Sequence, residues 1–370
     1  MLASFLTNYT LQMVVFGSLI LGLVSGALGC FAVLRKESLL GDAISHAALP
    51  GIAIMFLLFQ SKHSLILILG AIVAGWFGTI LLLLVSYNTS LKRDAILGIV
   101  LSVFFGFGLV LLSYIQRLPI ANKADLSTYL FGNASTILLS DIVVMGSLGV
   151  VVLLLLTLFW KEFKVMTFDR DFSRSLGFPT KRLDVLLTTL IVVAIVIGLQ
   201  MVGVVLMSAM IIAPAAAARQ WTDRLEWMVV LSGLIGAFSG VLGGVISSQV
   251  PKLPTGPTVV LVVSSITIMS LLFSPSRGVL MAWFKNYRNR SKIAGESMLL
   301  NMLLFSESYT DPYHPHNMSA LDAIGKLGGD RVMKQLEAKG LVVSTEPLVW
   351  GFTEKGYQKA LSIKDQRSGA

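Results

Sequence analysis

The sequence predicts an all-α polytopic membrane protein with eight to nine transmembrane helices, followed by a small α+β domain. The first observation is composition: of 370 residues, 55% are hydrophobic and only 13% are charged, and the mean hydropathy is +0.80. Such values are typical of chains buried in lipid. The second is that apolar runs of about 20 residues, the length that spans a bilayer, recur as far as Phe273. Beyond Ser274 these runs stop, which indicates a separate, water-exposed domain.

The apolar runs predict nine spans, separated by short polar or Gly- and Pro-containing breaks. They lie near residues 11–34, 42–59, 64–87, 95–115, 137–160, 183–199, 203–218, 227–248 and 256–273. The seventh run is short and contains Pro214, so it is either a span of its own or the second part of one bent helix with the sixth. Eight and nine spans therefore both fit the sequence.

The orientation follows from the basic residues, because Lys and Arg near span ends are held on the cytoplasmic side of a membrane. The segment 161–182 carries six lysines and arginines, more than any other loop between spans. With nine spans, this places the C-terminal domain in the cytoplasm. The net charge of +9 then reflects membrane topology rather than nucleic-acid binding. The lone cysteine, Cys30, excludes a disulfide framework and a cysteine metal cluster.

The basic loop TFDRDFSRSLGFPTKRLD predicts a short amphipathic helix at about residues 167–179. Thr167 is the expected N-cap, and Gly177 with Pro179 is expected to end the helix. One side of the helix carries Phe168, Phe172, Ser175 and Leu176. From the residues alone, it either lies on the lipid headgroups or docks a cytosolic partner.

A phosphate-binding loop of the Walker type is absent from the sequence. Gly325-Lys326 lacks the upstream glycine and is followed by Leu327 instead of Ser or Thr. Any ATP must therefore be hydrolysed by another protein.

The stretch GDAISHAALPG places Asp42 and His46 four residues apart at the start of the second span. On a helix both side chains share one face and can reach a single ion. An ionisable residue in a span costs about 2.5–3.5 kcal/mol on insertion scales, so it normally faces a cavity or a partner. The alternative is that Asp42 caps the helix and His46 hydrogen-bonds a neighbouring helix.

Four motifs together carry a resemblance to a known family. The runs LRKESLLGDAISHAALPGIA, FDRDFSRSLGFPTKRLD, VGVVLMSAMIIAPAAAA and LPTGPTVVL, in this order and spacing, resemble the permease family of bacterial ATP-binding-cassette importers for manganese, zinc and iron. The similarity covers about residues 11–275. It implies a multi-pass protein of the bacterial plasma membrane, a second permease subunit (homo- or heterodimer), separate cytosolic ATP-binding subunits and an extracytoplasmic metal-binding protein.

The resemblance also assigns residues. It implies that Asp42 and His46 line the permeation path, where two protomers would supply a mixed oxygen and nitrogen set suited to Mn²⁺, Fe²⁺ or Zn²⁺. The form SLLGDAISHAALPG is closer to manganese or iron members, so we expect manganese as cargo, without a permanently bound cofactor. It further implies that the helix in the basic loop is the coupling helix of the ATPase. The coupling residues would be Phe168, Asp169, Phe172, Ser175, Leu176 and Gly177.

The remainder of the chain predicts a basic juxtamembrane linker over 276–295 and a folded domain over 296–370, after the permease domain 1–275. We expect helices at about 296–306, 320–326 and 330–339, followed by two strands within LVVSTEPLVWGF. VMKQLEAKGLVV followed by FTEKGYQKAL resembles the winged helix of metal-dependent repressors of the diphtheria-toxin-repressor type.

The charge of this domain favours an interaction or regulatory module over a DNA-binding one. Most of its basic excess lies in the linker, and the predicted recognition helix mixes Arg331, Lys334 and Lys339 with Asp330 and Glu337. In DPYHPHN, Asp311, His314 and His316 form a candidate metal site, and the alternative is a solvated turn.

Two other functions also fit the sequence. The protein could be a membrane-tethered, metal-responsive regulator, which would bind an operator through residues 296–370. It could also be a secondary metal transporter, which would need an ion gradient instead of ATP.

Overall fold

The computed structural model describes residues 9–37, 39–60, 64–118, 132, 137–250, 253–275, 277–306, 311–317, 319–320 and 329–368. The chain divides into two compact units, Met1–Gly278 and Val279–Ala370. Each unit has its own hydrophobic core.

The first unit is helical. Its helices are α1 (Tyr9–Leu34), α2 (Leu40–Phe59), α3 (Ser64–Asn88), α4 (Arg93–Arg117), α5 (Leu139–Leu158), α6 (Trp160–Phe168), α7 (Arg170–Ser175), α8 (Thr180–Val202), α9 (Val204–Trp221), α10 (Leu225–Gln249) and α11 (Thr255–Phe273). Within the described ranges, nine of these helices, all except α6 and α7, are long and apolar enough to cross a membrane.

The sixth and seventh predicted spans are separate helices. The chain breaks at Gly203, whose φ of 89° and ψ of 160° lie outside the helical region and are readily adopted by glycine. α9 then continues through Pro214 to Trp221. Within the part of the chain that the structure describes, the sixth and seventh runs are therefore two candidate spans rather than one bent helix.

Glycines bring the central helices of this unit together. α1 packs along α10, and a Cβ placed on Gly22 would lie 2.3 Å from the backbone of Gly236. At the α2–α3 crossing, a Cβ on Gly51 would lie 2.0 Å from the carbonyl oxygen of Gly70. Small residues let helix backbones approach closely in membranes. The α2–α3 contact helps to set the position of the helix that carries Asp42 and His46.

The second unit combines helices with a small antiparallel sheet. Its elements are α12 (Val279–Ser306), β1 (His316–Asn317), α13 (Gly329–Ala338), β2 (Val342–Glu346), β3 (Val349–Phe352) and α14 (Glu354–Ser368), with strand order β1-β3-β2. β2 and β3 are the two strands predicted in LVVSTEPLVWGF. Their side chains pack with α12, α13 and α14 around Met302, Met333 and Trp350.

The sequence predicts a linker over 276–295, whereas the structure has a helix over most of this segment. From Val279 onward this segment is the first half of α12, which runs without a break to Ser306. The segment contains no proline after Pro275, and its arginines and lysines are good helix formers, so nothing in it ends a helix. The helix predicted at 320–326 falls almost entirely on residues 321–328, outside the described residues.

Candidate functional site

Asp42 and His46 lie together in the first two turns of α2. Oδ1 of Asp42 and Nε2 of His46 are 3.5 Å apart, as expected for residues four apart on one helix face. Asp42 is the third residue of α2 and not its N-cap, a position held by Leu39 without a side-chain cap. A carboxylate in the first turn is favoured by the positive end of the helix dipole.

The two side chains differ in their access to solvent. The Asp42 side chain is 33% exposed, whereas that of His46 is 10% exposed. The His46 ring packs edge-on against Phe105 of α4, with 4.3 Å between ring centroids. Its Nδ1 is buried without a hydrogen-bond partner among the described residues. The pair therefore runs from the surface of the unit into its interior.

Pro50 adds a further feature to this part of α2. It lies inside the helix, four residues after His46, and has no N–H with which to bond the carbonyl oxygen of His46. A carboxylate, an imidazole and a carbonyl thus lie within two turns of one helix. Such hard and borderline donors suit divalent manganese, iron or zinc.

One chain supplies only part of a metal site. Among the described residues, no group of three or more His, Cys, Asp or Glu side chains is arranged to hold a metal ion. Asp42 and His46 give two ligands, so a four-ligand set of carboxylates and imidazoles would require a second copy of the pair. The second permease subunit that the resemblance implies stays a prediction.

The predicted coupling helix is the short helix α7. Its N-cap is Asp169, whose carboxylate accepts a hydrogen bond of 2.9 Å from the backbone N–H of Phe172. Thr167, the expected cap, lies inside the preceding helix α6 instead. The N-cap is Asp169 because the backbone there is extended, with φ −146° and ψ 103°, which is the conformation that an N-cap residue adopts.

The segment 168–176 carries exposed apolar side chains at the end of α6, within α7 and directly after it. Phe168, Phe172 and Leu176 are each more than half exposed. The Ser175 hydroxyl donates to the carbonyl oxygen of Phe172, and Gly177 ends the segment with a φ of +82°. Three large apolar side chains at four-residue spacing on an exposed loop are typical of a binding surface.

Behind α7 lies an ionic cluster that the sequence did not predict. The Asp184 carboxylate, in α8, is fully buried and forms salt bridges with Arg35 and Arg170. The Tyr87 hydroxyl donates to the same carboxylate over 2.9 Å. The local signal was an acidic residue within a predicted span, in TKRLDVLL. Its partners are 14 to 149 residues away along the chain, so the sequence could not identify them.

In the second unit, the candidate residues Asp311, His314 and His316 do not converge as a set of three. The imidazoles of His314 and His316 lie 5.6 Å apart between centroids. The Asp311 carboxylate accepts a hydrogen bond from the backbone N–H of Tyr313. Burial, together with the nearby His314, lowers the pKa of His316.

Comparison with known proteins identifies relatives of the whole membrane unit. A family described as the ABC 3 transport family matches residues 7–274. The zinc transport system membrane protein TroC of Treponema pallidum (strain Nichols) is 51% identical over 282 residues, which are 76% of this chain and 95% of that protein. The manganese transport system membrane protein MntC of Bacillus subtilis (strain 168) is 38% identical over 357 residues. This match covers 94% of this chain and 80% of that protein.

A solved structure also resembles the fold. It is described as PsaBC from Streptococcus pneumoniae in complex with Fab, and it matches with a TM-score of 0.67 and 32% identity. The match covers 75% of this chain and 97% of that one. Together with the family match over residues 7–274, these similarities show that the chain is a multi-pass membrane permease and belongs to the ABC 3 transport family.

Proposed function

We propose that this chain is the permease of an importer that moves divalent manganese or zinc into the bacterial cytoplasm, powered by ATP hydrolysis in separate subunits. The observation that carries the proposal is the Asp42–His46 pair, 3.5 Å apart at the start of a membrane helix. An ionisable pair is costly in a span unless it serves a path or a partner. Relatives named for zinc and for manganese transport supply the class of cargo.

The ligand chemistry supports a passing ion. Two protomers would supply two carboxylates and two imidazoles, a set that binds Mn²⁺, Zn²⁺ or Fe²⁺ without the tight grip of thiolates. A transport path must bind weakly enough to release its ion. The sequence around His46 favours manganese, whereas the more similar of the two named relatives is a zinc protein. Manganese and zinc are therefore the two cargoes to compare, with iron as the third.

The partners follow from the proposed topology. Basic loops on the cytoplasmic side place α7 in the cytosol, where Phe172 and Leu176 would enter an apolar cleft of the ATP-binding subunit. Phe168, Asp169, Ser175 and Gly177 would form or shape the rest of that contact. An extracytoplasmic metal-binding protein would deliver the ion to the opposite face. With nine spans, the second unit lies in the cytoplasm.

The second unit we assign to regulation. α13 ends at Ala338, Gly340 follows with a φ of +67°, and the chain enters the β2–β3 hairpin and then α14, an order similar to a winged helix. Binding to DNA is not favoured, because Lys334 pairs with Asp330 on the helix that would read the bases. His314 and His316, with Asp311 nearby, would sense imported metal.

The test reconstitutes the permease with its ATP-binding subunits in proteoliposomes and measures uptake of Mn²⁺, Zn²⁺ and Fe²⁺. Asp42→Asn and His46→Ala should each abolish uptake, because each removes a ligand while the span stays apolar. Asp94→Asn is the matched control, since Asp94 is an exposed aspartate in the first turn of α4. Wild-type uptake in both path variants would disprove the metal path. Uptake that needs an ion gradient but no ATP would indicate a secondary transporter.

A further inference from the structure

The fully buried Asp184 carboxylate joins four separate elements of the membrane unit. It lies near the start of α8 and accepts hydrogen bonds from Arg35, which directly follows α1, and from Arg170, the first residue of α7. The third donor is the Tyr87 hydroxyl in the last turn of α3. The same hydroxyl accepts a hydrogen bond of 3.0 Å from Arg170. The proposed coupling helix is thus fixed to one internal charge.

A second buried carboxylate, that of Glu37, belongs to the same cluster. Arg35 also forms a salt bridge of 3.4 Å with Glu37, whose side chain is almost as buried as that of Asp184. Two guanidinium groups therefore face two carboxylates. Removing one member of such a set leaves an uncompensated buried charge, which is strongly unfavourable. The contacts consequently resist separation when force is applied to any one of the four elements.

One side of the cluster is connected to the exposed face of α7. Arg170 points inward to Asp184, while Phe172 and Leu176 on the same short segment are more than half exposed. α7 has only six residues, so these inner and outer contacts are within two turns of each other. If Phe172 and Leu176 are displaced, α7 moves with them and carries Arg170, which contacts Asp184.

The other side of the cluster is connected to the helix of the metal path. Glu37 lies between α1 and α2, and its carbonyl oxygen accepts a hydrogen bond of 3.1 Å from the N–H of Leu40, the first residue of α2. Asp42 follows two residues later. The link from α7 to the start of the proposed path therefore passes through Arg170, Asp184 and the Arg35–Glu37 turn.

We propose that Asp184 is a positioning residue that holds the docking helix α7 to the α1–α2 turn, so that movement imposed by the ATP-binding subunits shifts the start of α2 and its Asp42–His46 pair. This inference rests on the proposed transport function and adds the internal route of coupling. Arg170, Arg35 and Tyr87 act through Asp184 and need not touch the metal ion.

The experiment measures ATP hydrolysis and import of Mn²⁺ and Zn²⁺ in the same proteoliposomes, with the permease in complex with its ATP-binding subunits. Asp184→Asn should lower the metal imported per ATP hydrolysed by roughly 2- to 30-fold, the range found for coupling networks. The ATP-binding subunits should still co-purify, because Phe172 and Leu176 are unchanged. Glu226→Gln is the matched control, since Glu226 pairs with Lys164 on the exposed surface and should keep the wild-type ratio.

The amount of metal imported per ATP hydrolysed distinguishes a positioning role of Asp184 from a purely structural one. A purely structural role would lower hydrolysis and import together, in proportion to the folded complex, and that result would overturn the inference. If Asp184→Asn does not fold, the same ratio is measured for two milder variants. Tyr87→Phe keeps the aromatic ring but removes the hydroxyl that donates to Asp184, and Arg170→Lys keeps the positive charge. An unchanged ratio in both variants would also overturn it. A wild-type complex that imports neither metal would disprove the proposed transport function itself, whatever the variants do.

Discussion

The contact between α1 and α10 makes a prediction whose size can be worked out from the structure. A Cβ on Gly22 would lie 2.3 Å from backbone atoms of Gly236 and Ala237, and a Cβ on Gly236 would lie 2.4 Å from the carbonyl oxygen of Gly22. Ordinary contacts begin near 3.4 Å, so Gly22→Ala requires the two backbones to separate by about 1.1 Å. Backbone atoms cannot rotate away as a side chain can, and the helices themselves must move.

Overpacking of this kind costs about 1–3 kcal/mol, and the better helix propensity of alanine returns about 0.5–1 kcal/mol. With mid-range values of about 2 and about 0.75 kcal/mol, we expect Gly22→Ala to lose about 1 kcal/mol of stability. Gly146→Ala is the matched control. It lies on α5, which also packs against α1, but its Cβ would meet only Ile20 Cδ1, at 3.6 Å.

The assay is the temperature at which detergent-solubilised protein loses its monodisperse state. Gly22→Ala should lower this temperature, whereas Gly146→Ala should leave it unchanged or raise it, because only helix propensity changes there. Equal stability of Gly22→Ala and the wild type would refute the close approach of α1 and α10. An equal loss in both variants would show that alanine is unfavourable for a reason unrelated to this contact.

Three further predictions concern α7 and the second unit. Replacing Phe172 and Leu176 with glutamate should remove the apolar docking contact, so that the ATP-binding subunit no longer co-purifies; undiminished co-purification with full transport would contradict the docking role of α7. Since burial lowers the pKa of His316, the unfolded state binds the extra proton first, and the second unit should lose stability as the pH falls below about 6.5. Faster hydrogen exchange of Val349–Phe352 relative to a His316→Gln variant should report this, and equal pH dependence in both would contradict it. Ending the chain after Gly278 should leave insertion and metal uptake intact, whereas loss of uptake by a normally inserted protein would show that the second unit is structurally required.

The membrane architecture was largely readable from the sequence because the bilayer imposes it. Apolar runs must be helices there, since no other local structure satisfies the backbone in lipid. The sequence therefore predicted the spans to within a few residues. It left eight and nine spans open because the deciding feature is one backbone conformation, the positive φ of Gly203.

The candidate site was predictable only where its residues are neighbours in the sequence. Asp42 and His46 are four apart, so helical geometry alone placed them together. The Asp184 cluster joins residues from the turn after α1 and from α3, α7 and α8, and such a set is fixed by tertiary packing. The sequence pattern also predicted Thr167 as the N-cap of the short helix. In the structure α6 extends through Thr167 to Phe168, so the N-cap of α7 is Asp169.

The lengths of the relatives bear on the role of the second unit. The match to TroC uses 95% of that protein but leaves about a quarter of this chain uncovered, and the family match ends at residue 274. The match to MntC of Bacillus subtilis instead extends over 94% of this chain. The second unit thus has a counterpart in the match to MntC but lies outside most of the match to TroC. Because α12 begins at Val279 as part of a second core, the chain has a natural division there. This division is consistent with the proposed regulatory role of the second unit, because Asp42, His46, α7 and the Asp184 cluster all lie before it.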